Sequence, residues 1–265
     1  MPGTSALQLG SLEFSYYGIM IALGILVAYL IALYRAQFFP KINMRQIETA
    51  FLIALPLAFI GARLYYVIFE WSYYSAHLGK IFAIWEGGLA IHGGLIGGLA
   101  GLAIYTAVKK IKLARVLDFA VPSIVLAQAI GRWGNFFNQE AFGGPSDLPW
   151  AIPIELQNRP AEFISAATFH PTFLYESIWN LLVFALLFWL AFRARDRKWR
   201  VGVIAAVYLI AYSTGRFFIE GLRTDSLYLG SLRVAQLVSL LLIIGGVIFL
   251  YWPQIKNKLK NKKNI

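Results

Sequence analysis

Seven apolar runs, separated by short polar segments, dominate the pattern of the chain. A helix that crosses the hydrocarbon core of a bilayer needs about 20 predominantly apolar residues, and each run approaches that length. The pattern predicts an all-α polytopic membrane protein, built as a bundle of seven transmembrane helices. The predicted spans lie near residues 14–34, 46–69, 88–108, 116–137, 174–192, 201–219 and 232–252.

The longest polar segment, residues 138–173, joins the fourth and fifth apolar runs. It contains five prolines together with Gly143 and Gly144, a composition typical of irregular loops rather than helices. Loops of this length are often functional. We interpret the segment as an external cap, inserted within a single integral membrane domain that spans residues 1–265.

Composition strengthens the membrane assignment. Hydrophobic residues make up 59% of the chain and its mean hydropathy is +0.64, whereas an ordinary soluble domain has about 45–50% apolar residues. The net charge of +11 is concentrated in short segments beside the apolar runs. Topology and anionic lipid headgroups account for charge in such places, so we expect the lipid bilayer as a partner and no nucleic acid.

The basic residues also predict the orientation of the chain, because cytoplasmic loops retain Lys and Arg. No Lys or Arg precedes Arg35, and every second inter-helix segment is basic. The N-terminus is therefore predicted outside and the C-terminus in the cytoplasm. The residues that carry this prediction are Arg35, Lys41, Arg45, Lys109, Lys110, Lys112, Arg115, Arg193, Arg195, Arg197, Lys198, Arg200, Lys256, Lys258, Lys260, Lys262 and Lys263.

Several kinds of chemistry are disfavoured by the residues. The chain has no cysteine, so any sulfur chemistry must use the sulfur of a substrate. Its three histidines, His77, His92 and His170, show no metal-ligand spacing. A Walker-type phosphate loop is also missing from the sequence, which argues against direct use of ATP.

Polar groups on five predicted helices fall at one level of the bilayer. Three of the groups are arginines, and a rise of about 1.5 Å per residue places them roughly 20–25 Å from the cytoplasmic ends of their helices, in the outer part of the hydrocarbon layer. Two further groups enter from outside to a similar depth. An outer-leaflet lipid carries its glycerol and phosphate there, which favours a lipid-headgroup site. The five residues are Tyr17, Arg63, His92, Arg132 and Arg216.

The spacing of Tyr212, Arg216, Glu220 and Arg223 predicts a single polar stripe on the sixth helix. An unpaired arginine inside the membrane is costly, so Glu220 or Glu140 is the expected partner. For Glu220 and Arg63, a structural ion pair and a functional role stay open.

For Arg132 and Arg216 we favour function over a structural role. Two converging guanidiniums repel each other unless an anion lies between them, and a phosphate matches the guanidinium fork.

His92 is the candidate proton acceptor, because a neutral imidazole near pH 7 can take a proton from a thiol. The alternative is a histidine that is merely hydrogen-bonded. The glycines that follow it, Gly93, Gly97 and Gly101, have four-residue spacing. We interpret them as packing positions that let a neighbouring helix approach closely.

The residues resemble those of the prolipoprotein diacylglyceryl transferase family. The resemblance rests on GRWGNFFN at 131–138 followed by Glu140 and Gly143, on YYG at 16–18, and on IHGGL at 91–95. It extends to HPT at 170–172 with Tyr175 and Glu176, and to 212–223. The resemblance thus spans nearly the whole chain. Gln139 departs from the family pattern, which has a glycine there, and Trp133 replaces a smaller apolar residue.

The resemblance implies an enzyme of the bacterial cytoplasmic (inner) membrane that begins lipoprotein maturation. It would transfer the diacylglyceryl group of phosphatidylglycerol to the lipobox cysteine in a prolipoprotein signal peptide, forming a thioether and releasing glycerol phosphate. The family uses no metal or nucleotide. By this resemblance Arg132 binds phosphatidylglycerol, Arg216 is a second essential cation and His92 is the candidate base. Supporting site residues are Tyr17, Asn135, Asn138, Glu140, Gly143, Tyr212, Glu220 and Arg223.

The mechanism that follows is displacement at the glycerol carbon bearing the phosphate. The cysteine sulfur attacks, the bond to the phosphate oxygen breaks, and Arg132 and Arg216 stabilise the charge on the leaving phosphate. The proton acceptor stays open, because the field of the arginines could lower the thiol pKa enough for Tyr212 or water to act.

Two other classes of protein are alternatives. A lipid or anion transporter would also place charges in the membrane, but transporter sites tend to lie near the midplane between repeated halves. A non-catalytic scaffold would explain ion pairs and packing glycines, yet not the shared depth of the polar groups.

Overall fold

The computed structural model describes residues 5–9, 12–39, 43–195 and 199–263. Seven of its helices are long and apolar enough to cross a membrane, which confirms the predicted fold class. Observed and predicted ends differ by up to three residues for most spans. The seven helices are α1 (Tyr16–Ala36), α2 (Met44–Phe69), α4 (Ile91–Val108), α5 (Leu113–Asn138), α6 (Thr172–Arg195), α7 (Val203–Glu220) and α8 (Val234–Lys263).

Short elements, which hydropathy does not reveal, connect the long helices. The strands β1 (Ser5–Leu9) and β2 (Leu12–Ser15) form an antiparallel hairpin before α1. The four-residue helix α3 (Trp71–Tyr74) and two 3-10 turns follow α2. A second hairpin, β5 (Tyr228–Leu229) with β6 (Leu232–Arg233), precedes α8. Of the basic residues that predict orientation, Lys41, Arg197 and Lys198 lie outside the described residues.

The chain divides into two compact units, and the first comprises residues 1–31 and 118–265. In this unit α5, α6 and α7 are joined by side-chain hydrogen bonds in the middle of the helices. Ser177 Oγ donates to the Ala129 carbonyl at 2.9 Å, and Trp179 Nε1 donates to the Ala211 carbonyl at 2.9 Å. Because these donors reach the backbone of a neighbouring helix, they fix the rotation of α6 against both partners.

Helix α7 is fixed at both ends. The Asp118 carboxylate accepts hydrogen bonds from the Gly202 and Ala205 amides at 2.5 and 2.8 Å, satisfying two of the free N–H groups at the helix start. At the other end, Gln236 Nε2 donates to the Phe217 carbonyl at 3.0 Å, and Arg233 donates to the Glu220 carbonyl. Because both ends are attached, these contacts prevent α7 from sliding along its own axis.

The segment between α5 and α6 folds around its own small apolar core. Strands β3 (Ile152–Pro153) and β4 (Thr168–Phe169) pair antiparallel. Phe142, Ile154 and Phe169 are buried together beneath them. An irregular loop with a core of this kind is compact enough to present side chains at fixed positions.

The second unit, residues 32–117, contains the close pairing of α2 with α4. A Cβ built on Gly93 would lie 2.2 Å from the Gly61 carbonyl oxygen, and one on Gly97 would lie 2.1 Å from the Leu57 carbonyl oxygen. Such contacts are impossible for any larger residue, so the two backbones touch here. This confirms that these glycines are packing positions.

Candidate functional site: an arginine and carboxylate cluster

The carboxylate of Glu176, at the start of α6, lies between arginines from α5 and α7. Its Oε2 is 2.6 Å from Arg132 Nη2, and its Oε1 is 2.7 Å from Arg216 Nη1. Arg223 Nη1 is 3.8 Å from the same Oε1. Glu176 is buried, with only 4% of its surface exposed. One carboxylate thus contacts three guanidiniums, each 40 or more residues from Glu176 along the chain.

The remaining charges of the cluster are supplied locally. Glu220 Oε2 is 2.6 Å from Arg216 Nη2, so Glu220 is the partner of Arg216 among the two carboxylates that the sequence offered. Asp225 binds Arg223 through two hydrogen bonds of 2.8 and 2.9 Å. Three guanidiniums therefore face three carboxylates that contact them directly, and these six groups are formally neutral. Glu140, which is linked to Arg132 through Asn135, adds one further negative charge nearby.

Arg223 reaches the cluster from a loop, so the prediction of a four-residue stripe on one helix was wrong for this member. Helix α7 ends at Glu220, and the chain turns at Gly221 before Arg223. Burial alone would lower the pKa of Arg223, but the hydrogen bonds to Asp225 and the nearby carboxylates outweigh burial and raise that pKa. This side chain stays cationic.

Gly143 fixes the position of Arg223 through the backbone. The two residues form an isolated antiparallel bridge, and the next amide, Gly144 N, donates to the Leu222 carbonyl at 3.0 Å. The Gly143 amide itself donates to the His170 carbonyl at 2.9 Å. Three chain segments meet at this glycine, where no room remains for a side chain. The family resemblance placed Gly143 in the site, and its role in the structure is to let these segments meet.

Four polar side chains lie near Arg132, those of Tyr17, Asn135, Glu140 and Tyr212. Asn135 accepts from Arg132 Nη1 at 3.4 Å and donates to Glu140 Oε1 at 2.8 Å. Tyr17 is close enough to Glu140 and Arg132 to interact with both charges. Tyr212 lies within hydrogen-bonding range of Arg132. Glu140 therefore accepts a hydrogen bond from Asn135, while Arg216 is paired with Glu176 and Glu220.

Gln139 and Ala141, on either side of Glu140, have left-handed backbones, with φ of 50° and 58°. A glycine would adopt this conformation without strain, which fits the glycine of the family pattern. Here the Gln139 side chain compensates by accepting from the Glu155 amide at 2.8 Å and from Asn158 Nδ2 at 3.3 Å. The departure at Gln139 thus ties the cap to the end of α5.

Two concave surfaces adjoin the cluster. A polar recess of about 540 Å³ has Asn138 and Glu140 on one side and Thr224 with Asp225 on another. An apolar groove of about 380 Å³ runs between α6 and α7, lined by Trp179, Gly215 and Phe218 among others. The recess suits a polar group and the groove suits a hydrocarbon chain.

Arg63 and His92 belong to the second unit. Arg63 donates to five backbone carbonyls of the loop after α3, at 2.6 to 3.3 Å: those of Lys80, Ile81, Ala83, Gly87 and Gly88. This pattern favours the structural interpretation of Arg63. His92 is exposed in the first turn of α4, with its ring 6.0 Å from that of Tyr65.

The anion between Arg132 and Arg216 is a residue of the protein. Sequence reasoning inferred a phosphate there from the repulsion of two guanidiniums, but Glu176 supplies the neutralising charge. The signal that could have identified it is an acidic residue inside a predicted transmembrane run. Both arginine side chains are partly exposed, with 22% of the Arg132 surface and 18% of the Arg216 surface accessible.

The fold and the cluster define a class of protein: a multi-pass membrane protein with partly exposed, converging arginines that can bind an anionic group. Residues 4–252 match the family model for prolipoprotein diacylglyceryl transferase, and the chain belongs to that family.

Three relatives carry the name phosphatidylglycerol–prolipoprotein diacylglyceryl transferase. The protein of Thermosynechococcus vestitus is 48% identical, covering 92% of this chain and 90% of its own length. That of a Nostoc species is 46% identical, covering 97% and 91%. That of Synechococcus elongatus is 46% identical, covering 95% and 87%. The resemblance drawn from the motifs is confirmed.

Proposed function

We propose that this chain transfers the diacylglyceryl group of phosphatidylglycerol to a cysteine thiol of a prolipoprotein, the first step of lipoprotein maturation. The observation that carries the proposal is the convergence of Arg132 and Arg216, both partly exposed, among apolar helices. The names of its relatives give the substrates of those proteins, and their high identity supports the same pair here. The thiol belongs to the lipobox of the signal peptide.

The lipid substrate fits the two surfaces beside the cluster. Its phosphate would lie against the exposed faces of Arg132 and Arg216, where the guanidinium fork matches two phosphate oxygens. The glycerol of the headgroup would extend into the polar recess near Asn138 and Glu140. The groove between α6 and α7 suits an acyl chain, because its walls are almost wholly apolar.

The reaction is a displacement at carbon. The cysteine sulfur loses its proton and attacks the glycerol carbon that carries the phosphate, forming a C–S bond. The C–O bond breaks, and its electron pair stays on the phosphate oxygen of the released glycerol phosphate. Arg132 and Arg216 would stabilise this charge in a water-poor cavity, which is the expected main catalytic effect. His92 is the candidate proton acceptor, and Tyr212, within reach of Arg132, is the alternative.

The first test is mass spectrometry of a synthetic lipobox peptide incubated with the purified protein and phosphatidylglycerol. We expect a diacylglyceryl mass gain on the cysteine, and no gain on a matched peptide with serine in its place. An unmodified cysteine peptide, with protein that is folded, would favour lipid or anion transport instead. Undiminished turnover by His92→Gln in this assay would remove His92 from proton transfer.

We also propose that the protein lies in the bacterial cytoplasmic membrane with its N-terminus and the 138–173 cap outside. The basic residues at alternate helix ends support this orientation. Because the chain has no cysteine, single-cysteine variants can report it directly. In intact spheroplasts an impermeant maleimide should label Ser165→Cys, in the cap, and spare Lys109→Cys, after α4. The reverse labelling would contradict the orientation.

A further inference from the structure

Glu176 differs from the other carboxylates of the cluster because its arginine partners are distant from it along the chain. Glu220 and Asp225 pair with arginines four and two residues away along the chain. Glu176 instead binds arginines of two other helices, one oxygen to each, at 2.6 and 2.7 Å. It therefore occupies the two-oxygen position that a phosphate would take between the guanidiniums.

The charge balance of the cluster limits what can bind there. Three guanidiniums already face three carboxylates, and Glu176 is almost fully buried. A phosphate that enters adds negative charge to a cluster whose guanidiniums are already balanced by carboxylates, which is unfavourable unless an existing pairing is weakened. The pairings that face the phosphate are those of Glu176.

Resting on the proposed function, we propose that the Glu176 carboxylate is an internal anion that competes with phosphate for Arg132 and Arg216 and so promotes release of the product. The lipid substrate is a phosphodiester with a single negative charge. The released glycerol phosphate is a monoester, and such groups carry about −1.5 to −2 at pH 7. Two arginines without a carboxylate partner would bind this product more tightly than the substrate. The Glu176 carboxylate opposes this, because it can re-form its ion pairs with both guanidiniums as the product leaves.

The test uses Glu176→Gln, which is nearly isosteric and removes the competing charge. We expect added glycerol phosphate to inhibit thioether formation at a concentration roughly tenfold lower than in the wild type, because one charged hydrogen-bonded contact has been removed from the competition. Both kcat and the KM for phosphatidylglycerol should fall, since product release becomes slow while lipid binding tightens. A purely structural role predicts lower activity without any gain in sensitivity to glycerol phosphate.

A binding measurement keeps this inference separate from the proposed function. Inorganic phosphate should raise the thermal unfolding midpoint of Glu176→Gln more than that of the wild type, at constant ionic strength set with chloride. The matched control is Glu86→Gln, which removes a carboxylate paired with Lys80 in a loop of the second unit, and should respond as the wild type does. Absence of transferase activity would count against the function, while equal phosphate shifts would overturn the role of Glu176.

A second variant, Glu176→Asp, tests the same proposal if Glu176→Gln does not fold. Glu176→Asp keeps the negative charge but shortens the side chain by one methylene, so its grip on both arginines should weaken. We expect its sensitivity to glycerol phosphate and its shift by inorganic phosphate to lie above those of the wild type. Wild-type values for both would overturn the proposal.

Discussion

Replacing Arg132 with Gln should lower the rate of thioether formation by at least about a hundredfold, the loss that follows removal of one donor to a developing anion. The guanidinium of Arg132 contacts Glu176 and Asn135, and its side chain is partly exposed, which leaves it accessible to the phosphate in our proposal. The variant should still fold, because Arg216 remains on Glu176 and no buried carboxylate is left unpaired. The measurement is the single-turnover rate by mass spectrometry at saturating phosphatidylglycerol.

The control for this experiment is Arg193→Gln, the same substitution on an exposed side chain near the end of α6. Its rate should match that of the wild type. Arg132→Lys tests the geometry: it keeps the charge but cannot offer two parallel donors, so we expect most of the loss to remain. An Arg132→Gln rate within about threefold of the wild type would exclude the arginine from transition-state stabilisation.

Gly143→Ala should destabilise the protein by about 1–3 kcal/mol, the usual effect of forcing atoms into a filled space. An added Cβ would lie 2.8 Å from the Cβ of His170 and 3.0 Å from the Leu222 carbonyl oxygen. Relief of these contacts moves the loop that carries Arg223, so turnover should fall as well. Thermal unfolding midpoints and transfer rates measure the two effects.

The neighbouring glycine provides a matched control. A Cβ on Gly144 would meet nothing within 4 Å, so Gly144→Ala should leave both quantities near their wild-type values. Equal effects from the two substitutions would contradict the assignment of Gly143 as the crossing point of three segments.

The transmembrane helices were predictable because the bilayer imposes both their length and their composition. A run that is too short cannot span the hydrocarbon core, and a polar run would expose its side chains to lipid, so hydropathy identifies the spans. The connections obey no such rule. Strands β3 and β4 are two residues each, and their pairing depends on contacts with Phe142 and Ile154 rather than on a repeating pattern.

The candidate site could be predicted where its contacts are local. The pairing of Arg216 with Glu220 follows from helical spacing, and the structure contains it. Glu176 is 40 residues from Arg216 along the chain, so helical periodicity gives no indication of their contact. The same periodicity, extended past Gly221, led to the wrong assignment of Arg223 to the helix.

The fixed position of α7 has a consequence for how substrates exchange. Asp118 binds the first turn of α7, and Arg233 and Gln236 bind its last turn. Because both ends of the helix are attached, Arg216 has a fixed position within the first unit. The motion that admits a lipid must then take place in segments other than α7. The cap and the loop that carries Arg223 are joined to each other at Gly143, so an opening beside Arg216 would have to move these two segments together.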